Sequence, residues 1–237
     1  MANQFVCCLL LLIAATSTNA QFITHSGIQG GVAAPSGARS YVVSVKGSGE
    51  SIICGGALYN DVTVITVASC LVFLNPEKLL VGVNNGTKTV KVVAHLSHPD
   101  YGFYTTEHDV ALLKLAESVS AEYVKLPSKT PVTGSAGIVT GWDANNSLVD
   151  VSETIIARAD CVSGKYDYDD DDVLASNVCG LADNKACNAV AGVPLVSDNQ
   201  LVGLLSWGAA CANDKNPAVF TDAFAEKSWI ESNVNSL

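Results

Sequence analysis

Six cysteines, Cys54, Cys70, Cys161, Cys179, Cys187 and Cys211, carry the first chemistry to weigh in this chain. In an oxidising compartment an even set of thiols pairs into disulfides, here three, whereas in a reducing one the same residues are metal ligands. Their spacing argues against metal, because no CxxC pair and no neighbouring histidine supplies a zinc-ligand pattern, so no metal and no cofactor is expected. The imidazoles available for acid–base work are His25, His95, His98 and His108. Asp167-Tyr168-Asp169-Asp170-Asp171-Asp172 crowds five carboxylates together. It lacks the glycine and the terminal glutamate of an EF-hand loop, and its charges repel, so it reads as a solvated loop. Asn85-Gly86-Thr87 and Asn145-Asn146-Ser147 are glycosylation sequons, with Asn85 and Asn145 as acceptors.

The amino-terminal segment indicates which compartment applies. Residues 1–20 contain no charged side chain, and residues 5–15 form an apolar run about half as long as a bilayer requires. Thr18-Asn19-Ala20 places small residues near a cleavage point, so 1–20 reads as a signal peptide and 21–27 as a short leader. Processing removes Cys7 and Cys8 and leaves the six. No second stretch is long and apolar enough for a membrane helix, and the expected product is secreted and extracellular, with no membrane partner. A net charge of −10 repels phosphate backbones and argues against nucleic acid.

Short β-rich runs must position these groups. Residues 41–45, 62–67, 79–83, 89–93, 110–115, 138–140 and 201–206 are rich in Val, Ile and Thr and are separated by turn residues, the pattern of an all-β sandwich or barrel. With 49% hydrophobic and 15% charged residues, the 237-residue chain has ample core. One helix is expected at the carboxyl end, capped by Asp222 and docked on the second half through Ala225, Trp229, Ile230 and Val234. Residues 116–131 read as a linker.

Against this background, Cys54-Gly55-Gly56-Ala57-Leu58 and Val64-Ile65-Thr66-Val67-Ala68-Ser69-Cys70 resemble the first disulfide loop of the chymotrypsin and trypsin family. Further landmarks follow in the family's order: Ile28-Gln29-Gly30-Gly31, His98-Pro99-Asp100-Tyr101, Asp109-Val110-Ala111-Leu112-Leu113, Gly141-Trp142, Ser206-Trp207-Gly208 and Ser228-Trp229-Ile230. The resemblance spans nearly the whole processed chain. It implies an all-β fold of two packed antiparallel six-stranded barrels, residues 28–125 and 126–237, with a C-terminal helix, together one trypsin-like domain. It also implies the pairs Cys54–Cys70, Cys161–Cys179 and Cys187–Cys211.

Peptide hydrolysis in this family needs a hydroxyl nucleophile, an imidazole that takes and returns its proton, and a carboxylate that orients the imidazole. Of these only the carboxylate, Asp109, has a counterpart. Ser69 stands where the family has its histidine, and a neutral alcohol does not titrate near pH 7. Ala191 stands at the nucleophile in Cys187-Asn188-Ala189-Val190-Ala191-Gly192-Val193-Pro194, and a methyl group cannot attack a carbonyl. His108 precedes Asp109 on an expected strand and so points to the opposite face. His25, His95 and His98 match no catalytic position.

The supporting parts depart too. Gly27 precedes Ile28 where relatives have a cleavable residue, Val190 replaces the aspartate that receives the new amino terminus, and Ala189 replaces an oxyanion-loop glycine. Lys185 occupies the base of the specificity pocket and Ala218 replaces a wall glycine. Ser206, Trp207 and Gly208 keep the strand with which relatives hold extended peptides. The resemblance therefore implies a non-catalytic serine protease homologue, similar to glucanase-inhibitor proteins and other inactive protease paralogues. Such a protein acts as inhibitor, decoy or cofactor by binding another secreted protein, an enzyme, protease or immune component. The alternatives are a serine endopeptidase with residual activity and, from the sequons and acidic loop alone, a ligand or glycan carrier.

Overall fold

In the computed structural model, which describes residues 27–47, 51–72, 74–75, 78–183, 190–208, 213 and 215–237, β-branched side chains set the architecture. Thirteen strands are found among these residues. A two-residue strand, β1 (Val32–Ala33), is followed by β2 (Val42–Lys46), β3 (Ile52–Leu58), β4 (Thr63–Thr66), β5 (Leu80–Val83), β6 (Lys88–Ser97) and β7 (Ala111–Leu115). The last six close a barrel in the order β2-β3-β4-β7-β6-β5. Val43, Val45, Leu58, Val64, Val81, Leu113 and Leu115 fill its interior.

Six further strands, β8 (Ala136–Trp142), β9 (Leu148–Ile156), β10 (Asn177–Ala182), β11 (Pro194–Ser197), β12 (Gln200–Trp207) and β13 (Ala218–Asp222), form the second barrel. The order β9-β10-β13-β12-β11-β8 is closed by pairing of β8 with β9, and β1 adds to β9. All pairings between these strands are antiparallel, so two closed six-stranded barrels remove the exposed edges a sheet would otherwise present. The expected fold class is the observed one.

Turn chemistry fixes local register. Asp198 (φ 49°) and Asn199 (φ 59°) alone join β11 to β12, both left-handed, as a two-residue hairpin with the sheet's twist requires. Asn84, Asn85 and Gly86 are likewise left-handed in the longer turn, closed by Thr87, between β5 and β6. The largest core crosses the seam, carrying Ile65, Val67 and Leu112 of the first barrel against Val139, Leu195, Leu204 and Phe220 of the second. Burial of that area is what holds the barrels together.

Among the described residues the α-helices are α1 (Arg158–Cys161) and α2 (Lys227–Asn233), and no helix there is long and apolar enough to cross a membrane. The C-terminal helix begins later than its sequence suggests. Asp222 ends β13 and its carboxylate accepts the Phe224 amide at 2.8 Å, closing the turn before the helix instead of capping it. Ala225 is exposed and lies outside α2, while Ile230 and Val234 are buried. The helix touches both halves: Lys227 donates to the Pro127 carbonyl at 3.0 Å and Trp229 stands against His98 of the first.

Candidate functional site

The seam between the barrels converges on Asp109, which lies near the end of the β6–β7 loop, two residues before β7, and is fully buried. Ser69 lies in a single 3-10 turn, Ala68–Cys70, held at its end by the Cys54–Cys70 disulfide. Its amide donates to Asp109 Oδ1 at 2.7 Å and its Oγ to Oδ2 at 2.9 Å. Ser206 Oγ donates to the same Oδ2 at 2.6 Å. The Asp109 backbone carbonyl accepts from Thr221 Oγ1 at 2.8 Å. Burial pushes the Asp109 carboxyl above the usual range, and the hydrogen bonds from Ser206, from Ser69 and from the Ala68 amide pull it back. Among the described residues its donors are hydroxyls and amides.

A β-bulge explains Ser206. The register of β12 on β13 shifts between Leu205 and Trp207, leaving Ser206 as the extra residue. Bulges re-aim side chains. Here Ser206 turns toward the first barrel while Trp207 packs edge-on against Tyr168, centroids 5.4 Å apart, in the second.

Ala191 is half-buried and touches the cores of both barrels. With Ile53, Cys54, Ser69, Cys70 and Leu74 it lines a cavity of about 300 Å³. Its carbonyl accepts the Gly55 amide of β3 at 2.7 Å, and the Gly192 amide donates to the Leu205 carbonyl at 2.7 Å. Gly192 has φ 82°, a left-handed conformation that brings this loop onto the first barrel. A side chain on Gly192 would run into the Gly55 carbonyl.

Ile28 is 4% exposed and its amide donates to the Trp142 carbonyl at 2.7 Å. Val190, also 4% exposed, belongs to the same core cluster as Ile28 and Trp142. Apolar burial thus stands where the resemblance implies an ion pair.

Ala218 is buried on β13 beside Gly208, and Trp207 ends β12 with the exposed Gly208 directly after it. Lys185, Ala189, Cys187, Cys211 and residues 1–26 lie outside the described residues. The disulfides Cys54–Cys70 and Cys161–Cys179 pair as the resemblance implied, with Cα separations of 6.2 and 6.3 Å.

Sequence reasoning placed His108 on a strand, and the structure corrects this: His108 has φ 51° and β7 starts at Ala111. Its side chain still diverges from Asp109, but through a left-handed backbone. It meets a group that sequence reasoning missed, Glu226, whose Oε1 lies 2.8 Å from His108 Nδ1. His98 stacks on His108, and burial holds its imidazole below the usual histidine range despite the nearby Glu226. The signal was invisible in sequence because 118 residues separate His108 from Glu226.

The acidic segment is exposed and self-organised: Asp169 Oδ1 accepts the Asp171 and Asp172 amides, and Asp170 pairs with Arg158 at 2.6 Å. Asn85 and Asn145 occupy exposed turns.

Comparison with known proteins finds similarity along most of the chain. The trypsin family model matches residues 28–230. Trypsin theta of Drosophila melanogaster is 36% identical over 228 residues, 88% of this chain and 87% of that protein. A trypsin of Sarcophaga bullata is 34% identical over 219 residues, 84% of this chain and 86% of its own length. Among solved structures, kallikrein-related peptidase 10 in complex with Zn2+ superposes with a TM-score of 0.72 at 30% identity, covering 86% of this chain and 100% of that one.

Proposed function

Because this chain belongs to the trypsin family, we propose that it is a secreted, non-catalytic member that acts by binding another secreted protein as inhibitor, decoy or cofactor. The reading rests on the buried Asp109 carboxylate, whose donors are the Ser69 and Ser206 hydroxyls and backbone amides. A triad carboxylate orients an imidazole, and here its acceptor positions are taken by groups that cannot serve as a base near neutral pH. A methyl at Ala191 faces the same cavity as Ser69, so acyl transfer has neither nucleophile nor base there. The apolar side chain of Val190, buried in the same core cluster as Ile28, is further support, since position 190 then offers no carboxylate to receive a new amino terminus.

What remains is a rigid disulfide-linked scaffold carrying surface loops, which suits recognition. Trp207 and Gly208, at the exposed end of β12, offer backbone for pairing with an extended segment of a partner. The rival reading, a serine endopeptidase, draws on relatives named as trypsins.

Two assays on the processed chain separate the readings. A fluorophosphonate serine probe and a panel of fluorogenic peptides should give no labelling and no turnover above buffer. Inhibitor-sensitive turnover lost on Ser69→Ala would overturn the non-catalytic reading. Used as bait in its native fluid, the chain should retain a stoichiometric partner, and loss of that partner on Trp207→Ala would place recognition at the cleft.

A further inference from the structure

Glu226, the residue before α2, is 2% exposed, and two imidazoles from the β6–β7 loop face its carboxylate. His108 Nδ1 lies 2.8 Å from Oε1 and His98 Nε2 lies 3.7 Å from Oε2. The two rings stack with centroids 4.5 Å apart and planes 12° apart. Trp229 stands 4.9 Å from His98 and shields that side. One donor atom from each of the three side chains lies within 4.8 Å of the other two.

A direct hydrogen bond accounts for His108 and Glu226 but not for His98. Nδ1 of His98 accepts the Asp100 amide at 3.2 Å, so in the neutral ring the proton sits on Nε2. That nitrogen points at Glu226 from 3.7 Å, beyond hydrogen-bond reach. His98 Nε2 therefore adds a third donor beside the His108–Glu226 pair, at a distance that a direct hydrogen bond does not use. Around a tetrahedral zinc with bonds of ~2.0–2.1 Å, ligand atoms sit roughly 3.3–3.5 Å apart. His108 Nδ1 is 2.8 Å from Oε1 and His98 Nε2 is 3.7 Å from Oε2, and one donor from each residue lies within 4.8 Å of the others, so small side-chain shifts bring the set to that spacing around one ion.

We propose that His98 Nε2, His108 Nδ1 and a Glu226 oxygen form a Zn2+ site. Two imidazoles and a carboxylate are a zinc donor set, and a water completes the tetrahedron. The His108 side chain is 34% exposed, which leaves solvent a route to the ion. Both rings bind as neutral tautomers, with the remaining proton on the nitrogen away from the metal. For His98 that nitrogen is Nδ1, so zinc uptake releases the Asp100 amide. The ion ties the β6–β7 loop of the first barrel, in which Asp109 directly follows His108, to the start of the helix that ends the second. This lies outside the binding role proposed above and stands or falls separately from it.

The test uses the whole processed chain, stripped with EDTA and titrated with zinc chloride by calorimetry and thermal unfolding. One equivalent should bind and raise Tm, and Co2+ in its place should give the intense visible bands of a four-coordinate site. Glu226→Gln and His108→Asn should each weaken binding by more than about tenfold. An Asp169→Asn/Asp172→Asn variant should bind as wild type does. Anomalous diffraction from the zinc-soaked wild type locates the ion even if a variant fails to fold. No heat and no Tm change at about 100 μM zinc, or an ion found away from Glu226, would overturn the proposal.

Discussion

Ser206 Oγ donates to Asp109 Oδ2 at 2.6 Å across the seam between the barrels. The acceptor is fully buried, so losing this donor leaves a carboxylate lone pair in apolar surroundings. Such a loss costs about 1–3 kcal/mol. Ser206→Ala should lower stability by that amount in urea unfolding. Asp109→Asn should cost a similar amount, because a carboxamide has one acceptor oxygen, so its NH2 group must face either the Ser69 amide or the Ser69 and Ser206 hydroxyls, which now donate to different carboxylate oxygens. The two substitutions share one interaction, so the double variant should lose less than the sum.

A second seam contact is conformational. Gly192 holds φ 82° while its amide bonds the Leu205 carbonyl, and a methyl there would meet the Gly55 carbonyl oxygen. Gly192→Ala combines left-handed strain with that overlap, and is expected to cost on the order of 2–4 kcal/mol. Thermal unfolding reads it directly. A shift of Tm below about 2 °C would mean that the loop relaxes away from β3.

Much of this arrangement was legible in the chain. Cys54-Gly55-Gly56 and Ala68-Ser69-Cys70 marked the disulfide loop, and Asp109 with Ala191 marked the seam. What escaped has physical reasons. β3 was missed because Gly55 and Gly56 depress strand propensity, yet Gly55 is needed where the Val193 backbone packs against it. Ser206 reaches Asp109 through a bulge, and a one-residue register shift leaves no periodic trace. Asp222 looked like a helix cap because capping and turn-closing use the same side-chain acceptor. The His98, His108 and Glu226 cluster is assembled by topology alone.

The Cys161–Cys179 disulfide spans 18 residues and encloses the acidic loop. Beneath that loop, Ile156, Tyr166, Val173 and Val219 form a small separate core. Replacing both cysteines with alanine should cost about 3 kcal/mol, since a loop of this size gains roughly that from the cross-link. Limited proteolysis should then cut first between residues 162 and 176. Cleavage elsewhere would show that the small core holds the loop without the bond.

Restoring the triad chemistry tests which missing part matters most. Ser69→His with Ala191→Ser supplies a base and a nucleophile on either side of the cavity that Ser69 and Ala191 line. The graft also displaces the Ser69 hydroxyl from Asp109, freeing an acceptor for the new imidazole. Val190 nonetheless remains in the buried apolar cluster with Ile28 and Trp142, so position 190 supplies no carboxylate to hold a free amino terminus and set the oxyanion donors. The double variant should therefore hydrolyse a fluorogenic peptide only slightly above buffer. Adding Val190→Asp to a chain that begins at Ile28 should raise the rate by more than about a hundredfold, the scale on which oxyanion donors act. In a chain that still carries residues ahead of Ile28, the carboxylate introduced by Val190→Asp is a buried charge without a partner, so there the same substitution should instead destabilise the fold. Full activity from the two-residue graft would mean that Ala189 and Val190 leave the oxyanion donors in place.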